Sequence, residues 1–157
     1  MPPEIDDATS ALLTEVLQRC CGVVHCSDCA LWLAGNDHLH PLLGHGPHSS
    51  RFIGDYRHPL SEGLISMVFA SGQPFCENNI QANPQHSSRL DQQLGIQTDA
   101  MIVVPVVSAG EMAGVITCVH TSQIDSPAEN SQAFTSADMD ELEFCAALVG
   151  RVLETRV

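Results

Sequence analysis

Seven cysteines and eight histidines occur in 157 residues, and four of them recur at metal-ligand spacing. Cys26-x-x-Cys29 has the spacing by which two thiolates meet one zinc-type ion, and His45-x-x-His48 matches it loosely. Residues 29–34 read as a strand, Gly35-Asn36-Asp37 as turn chemistry, and residues 39–44 as the returning strand. Strict antiparallel pairing outward from Ala34 opposite Leu39 sets Cys29 opposite Gly44, beside His45. The same pairing sets Cys26 opposite Pro47, beside His48. Cys26, Cys29, His45 and His48 thus form a candidate metal site at the open end of one hairpin. The plainer reading, which we place first, is core thiols beside unrelated surface histidines. Free cysteine is among the most buried residue types, and a domain this long needs no metal to fold.

A second constellation lies between residues 74 and 99. It offers Cys76, Asn78, Asn79, Gln81, Arg89, Asp91, Gln97 and Thr98 above an apolar floor of Met101, Val103, Ile116 and Cys118. A few polar groups converging over an apolar floor are the make-up of a small-molecule site. Arg89 would be its main determinant, as a fork-shaped donor suited to a small anion such as a carboxylate, nitrate or phosphate. The alternative is that Arg89 pairs with Asp91 on the surface. Cys118 and His120 alternate on one strand and share a face, but the simpler reading is a core thiol and a strand-end imidazole. No Ser-His-Asp or paired-carboxylate pattern stands out, and no cofactor is named by the residues.

Charge excludes much else. The net charge is −13 and the pI near 4.7. All six basic residues are arginines, so a Walker phosphate loop and a Schiff-base lysine are both excluded. An acidic chain with scattered arginines does not neutralise a run of phosphates or an anionic bilayer, so neither nucleic acid nor membrane is expected as a partner. The longest apolar run, residues 100–107, falls far short of the roughly 20 residues of a membrane span. The N-terminus carries Glu4, Asp6 and Asp7 and no basic stretch, so the expected location is cytoplasmic, with reduced thiols.

These residues must be positioned by elements that the pattern also outlines. Asp6 or Asp7 caps a first helix, striped by Leu12, Leu13, Val16, Leu17 and Cys20 and ended by Gly22. After the first hairpin, residues 52–58 hold an edge strand. Ser61 caps a middle helix that Gly72 stops, and residues 87–94 form a short helix. Residues 100–107 and 113–119 are apolar on both faces, joined by the turn 108–111, and belong in the middle of a sheet covered on both sides. Pro105 implies a bulge or a local edge. Residues 121–133 read as a loop, and Thr135 with Asp138 opens a last helix striped by Leu142, Cys145, Ala146, Val149, Val152 and Leu153. The order gives an α+β fold in one domain: an N-terminal helix at 1–22, sheet and pocket loops at 26–120, and a C-terminal helix at 134–156.

Six strings in this order resemble the GAF domain family. They are Ala30-Leu31-Trp32-Leu33, His58-Pro59-Leu60-Ser61-Glu62-Gly63-Leu64, Ser71-Gly72-Gln73-Pro74, Val103-Val104-Pro105-Val106, Gly110-Glu111-Met112-Ala113-Gly114-Val115-Ile116, and Phe134-Thr135-Ser136-Ala137-Asp138. The resemblance implies a six-stranded antiparallel sheet with the terminal helices on one face and a ligand pocket on the other. It also implies signalling by small-molecule binding, and a homodimer formed through the terminal helices. The family's cyclic-nucleotide signature is mostly missing, since Thr121-Ser122 stand where an Asn-Lys pair belongs and Met139 follows Asp138. The Cys-His pair of its bilin binders is missing too, since Glu77 follows Cys76. Free methionine sulfoxide reductases share the fold and use cysteines near the middle helix, where Ile65 and Ser66 stand here, so no enzymatic activity is expected.

The leading expectation is therefore a sensory or regulatory ligand-binding module. Its output passes through a signalling protein partner, unless the chain is a fragment of a larger sensor. One alternative is a redox or metal sensor built on Cys26 and Cys29 or on Cys76. The other is a structural dimerisation module with a filled pocket.

Overall fold

The computed structural model describes residues 5–123 and 133–154. Asp6 opens the first helix, its Oδ1 accepting from the Thr9 amide at 2.7 Å. Helix α1 spans Asp7–Val24 and buries Leu13, Leu17, Cys20, Cys21 and Val24 along one face. It runs through Gly22, the expected stop, and ends at His25, whose left-handed backbone (φ 59°) returns its N–H to the Cys21 carbonyl. Packing decides this: Val24 carries the buried stripe one turn further, whereas Gly22 is exposed with nothing near it.

Strands β1 (Asp28–Ala34) and β2 (His38–His45) form the first hairpin. The expected edge strand at 52–58 is reduced to β3, His58–Pro59, because a 3-10 turn at Ser49–Arg51 and the turns after it take up the approach. Helix α2 covers Gly63–Ser71 and stops at a left-handed Gly72, but Glu62, not Ser61, holds its N-cap position. After β4 (Phe75–Glu77), a 3-10 turn at Ile80–Ala82 and the short α3 (Arg89–Leu94) lead into the long hairpin. That hairpin is β5 (Ile96–Ser108) and β6 (Glu111–Gln123), several residues longer at its open end than the apolar runs outline. The expected loop 121–133 begins within β6, and its residues 124–132 lie outside the described set. Helix α4 (Ser136–Glu154) starts in a reciprocal box. The Thr135 amide donates to Asp138 Oδ2 at 2.9 Å, and the Asp138 amide donates to Thr135 Oγ1 at 3.2 Å.

The six strands form one antiparallel sheet in the order β3-β2-β1-β6-β5-β4. Both faces are covered, which is why its central strands lack polar alternation. On one face Leu31, Leu33, Ile102, Val104 and Ile116 meet α1 and α4. On the other Ala30, Trp32, Met101, Val103 and Val115 meet α2, α3 and the 52–56 turn. Each fully buried leucine or isoleucine contributes about 1.5–3 kcal/mol. Pro105 lies in β5 beyond the stretch that β4 pairs, so its missing N–H removes no ladder bond on that side. Single extra residues bulge the ladders at Leu42 in β2, Asp99 in β5 and Ala113 in β6.

Candidate functional site

The site lies on the face away from the terminal helices. Trp32 on β1 forms its floor, stacked on Phe52 (ring centroids 5.7 Å apart, 19° between planes) and edge-on to Tyr56 at 5.9 Å. Its indole N–H donates to Thr117 Oγ1 across the strand pair at 3.0 Å, so the ring is fixed in place. Leu64, Ile65, Leu90, Leu94, Ile96 and Met101 complete the apolar wall. The cavity has a volume of about 80 Å³, which suits a compact ligand.

Two buried carboxylates face this lining. Asp28, at the start of β1, accepts from the His48 amide and from His48 Nδ1, both at 2.9 Å. Gly46 makes that approach feasible: its φ is +128°, and a Cβ there would overlap the Asp28 carboxylate. Asp91, on α3, accepts from the Thr98 amide at 2.8 Å and the Thr98 hydroxyl at 2.7 Å, and His86 Nε2 stands 3.4 Å away. A relay sits beside them. His58 Nε2 donates to the Glu62 carbonyl at 2.7 Å, which leaves Nδ1 to accept from the Tyr56 hydroxyl at 3.2 Å. Burial lowers the His58 pKa below the ordinary imidazole value, so the ring is neutral near pH 7. Burial also pushes the Tyr56 phenol up to about 12. Among the described residues no arginine lines the cavity, and its carboxylates are Asp28 and Asp91.

The sequence-stated ligand set divides. Asp91, Thr98 and Met101 line the cavity. Arg89 does not: it is exposed and its guanidinium binds Glu62, from Nε at 3.0 Å and Nη2 at 2.7 Å, rather than Asp91. Cys76 is exposed on the edge strand β4, and Asn79 is exposed at the start of the 3-10 turn. Asn78 clamps the chain before α4, its Oδ1 accepting from the Phe134 amide at 2.7 Å and its Nδ2 donating to the Phe134 carbonyl at 3.1 Å. Gln81 donates to the Thr98 carbonyl and Gln97 to Asp99, so both are structural ties. Of the expected floor, Met101 and Val103 belong to this face, whereas Ile116 and Cys118 pack on the helix side. The cavity residues that sequence reasoning missed are Asp28, Trp32, Phe52, Tyr56 and His58, and His48 was singled out there only as a metal ligand. The Trp32 string and the Tyr56-x-His58 pair were visible, but nothing in sequence placed them together.

The candidate metal set also divides. Cys29 does lie at the open end of the hairpin, but opposite His45 rather than Gly44, because the Leu42 bulge shifts the pairing by one. His45 is exposed and His48 turns to Asp28 on the cavity face. Cys29 instead directs its thiol to the helix layer, donating to the Leu17 carbonyl at 3.4 Å, and there meets Cys21 and Cys26.

Residues 9–153 match the model of the family described as GAF domain. No curated protein sequence matches the chain. Among solved structures, the GAF domain of a phosphoenolpyruvate-protein phosphotransferase from Coxiella burnetii superposes with a TM-score of 0.76 at 19% identity, covering 90% of this chain and 80% of that one. The type II free methionine-R-sulfoxide reductase of Thermoplasma acidophilum gives 0.74 at 18% identity, covering 96% and 95%. The free methionine-R-sulfoxide reductase of Neisseria meningitidis, in complex with its substrate, gives 0.71 at 20% identity, covering 93% and 78%. These likenesses establish a common fold. They also overturn the expectation of no enzymatic activity. That expectation rested on which residues stand at 65 and 66, yet two neighbours that match more than nine-tenths of this chain are reductases, so the fold itself houses catalysts.

Proposed function

The chain belongs to the GAF domain family, a common sensory and regulatory module of signalling proteins, and from that premise we propose that it binds a compact small molecule in the cavity over Trp32. The ligand class follows from the lining. An aromatic floor with buried Asp28 and Asp91, and no arginine among the described lining residues, favours a ligand with an apolar body and an N–H-donating or ammonium head. That reverses the anion expected from Arg89. Both carboxylates already hold protein donors and each retains acceptor positions for a ligand. The single observation that carries this reading is the pair of buried carboxylates in a hollow lined mainly by apolar side chains.

Signal transfer would run through the segments that form the roof, 86–98, which tie directly to β5 through Asp91 and Thr98. The terminal helices leave Leu12, Phe144 and Leu148 exposed, and this apolar surface supports a homodimer in which the helices carry the output. Trp32 is the sole tryptophan, so its fluorescence reports cavity occupancy without a label. Titration with free amino acids, small amines, purines and inorganic anions should quench or shift that emission only for N–H-donating compounds, and Asp91→Asn should abolish the response. A response to nitrate or phosphate, undiminished by Asp91→Asn, overturns the assignment.

A further inference from the structure

The opposite face of the sheet carries a cluster of thiols for which the cavity has no use. Cys21 lies in the last turn of α1, Cys26 lies in the turn that follows, and Cys29 lies on β1; their sulfurs all fall within 4.8 Å of one another. Cys21 and Cys26 are closest, with Sγ atoms 3.0 Å apart, inside the roughly 3.5–4.0 Å at which non-bonded heavy atoms rest. Cys118 on β6 is the direct cross-strand partner of Cys29 and is buried in the same layer. The backbone is shaped to bring them together. His25, a non-glycine residue in the left-handed region, folds the chain back so that the Cys26 amide reaches the Cys21 carbonyl at 3.3 Å.

We propose that Cys21, Cys26 and Cys29 form a three-thiolate site for a zinc-type divalent ion, with water or a small ligand completing the tetrahedron. Metal–sulfur bonds of about 2.3 Å in a tetrahedron set sulfurs about 3.8 Å apart, and the 3.0–4.8 Å range of the cluster brackets that value. A disulfide would use two of these sulfurs and leave one without a role; an ion uses all three. Binding releases the thiol protons as the ion enters, so affinity falls in acid. Cys26 is the least buried of the three and marks the entry side. The ion would join the end of α1 to β1 and stabilise the helix layer independently of any ligand in the cavity. Failure of the cavity assignment therefore leaves this one untouched.

The full chain, purified under reducing conditions without chelator, should show one zinc per chain by native mass spectrometry. Titrating Co²⁺ into the metal-free reduced chain should give the thiolate charge-transfer and tetrahedral ligand-field bands of a sulfur site. Cys26→Ser, at the half-buried position, should weaken Co²⁺ binding at least tenfold with unchanged circular dichroism, and Cys76→Ser on the far edge strand should leave it unchanged. Should Cys26→Ser not fold, Zn²⁺ protection of Cys26 from maleimide in the unaltered chain reads the same contact. Seven free thiols with no bound metal, a Cys21–Cys26 disulfide, or metal retained at full affinity without Cys26 would each overturn the proposal.

Discussion

Gly150 allows helix propensity and packing to be set against each other. It lies inside α4 and is buried. Replacing a glycine by alanine within a helix ordinarily stabilises by about 1 kcal/mol. Here a Cβ would overlap the carbonyl oxygen of Val107 and sit 3.2 Å from its carbonyl carbon. That carbonyl belongs to β5 beside the Ala113 bulge, so it cannot rotate away without disturbing the ladder. The helix must instead retreat by on the order of 1 Å, a gap that forfeits a quarter to a half of the dispersion energy at each contact it opens. Leu142, Val149 and Leu153 sit on the face that would lift. Overpacking of this kind costs about 1–3 kcal/mol, and more against rigid backbone. The expected net effect of Gly150→Ala is a loss of about 2 kcal/mol, or about 4–8 °C in Tm for a chain of this size. Gly22→Ala supplies the control: it is also helical, but exposed with nothing within 4 Å, so propensity acts alone and raises stability by up to about 1 kcal/mol. Urea unfolding followed by Trp32 fluorescence measures both. If Gly150→Ala matches or exceeds Gly22→Ala, the close approach of α4 to β5 is wrong.

Further outcomes follow from the same geometry. Asp91→Ala leaves the buried Thr98 amide and hydroxyl without their acceptor and should cost about 2–4 kcal/mol in urea unfolding, against near-neutrality for Arg89→Ala at the exposed Glu62 pair. His58 and His120 have pKa values lowered by burial, so the unfolded chain takes up their protons first. Their contribution is complete above the unfolded value of about 6.5 and declines as the pH falls from there towards the folded values. Unfolding midpoints measured from pH 8 to pH 5 should drop below about 6.5, and His58→Gln should flatten part of that drop. The proposed homodimer predicts that the unaltered chain has the mass of two copies in light scattering and that Phe144→Asp halves it without lowering Tm, since Phe144 is 62% exposed; a monomeric unaltered chain, or a mass unchanged by the substitution, removes the terminal helices as an association surface.

Sequence alone determined the elements and their order, because each rests on local physics: Asp6 and Thr135 at helix starts, Gly72 at a helix end, and long apolar strings that need cover on both faces. It also determined that the chain carries no lysine chemistry. What it left to tertiary structure was the face on which each strand residue lies, and here single extra residues were decisive. From the turn at 108–111 the pairing starts with Ser108 opposite Glu111 and Val107 opposite Met112, a register that would set Met101 against Cys118 and Val103 against Ile116. That is the expected floor. Ala113 bulges out next, Val106 meets Gly114, and every pair from there to Ala100 moves by one, so Met101 meets Val119 and Val103 meets Thr117. With a period of two, one inserted residue exchanges the faces: Cys118 passes to the helix side and Thr117 to the cavity. The Leu42 bulge did the same to His45 and Cys29. Bulges are settled by long-range contacts, such as the Gly54 amide on the Pro41 carbonyl, which no local pattern encodes.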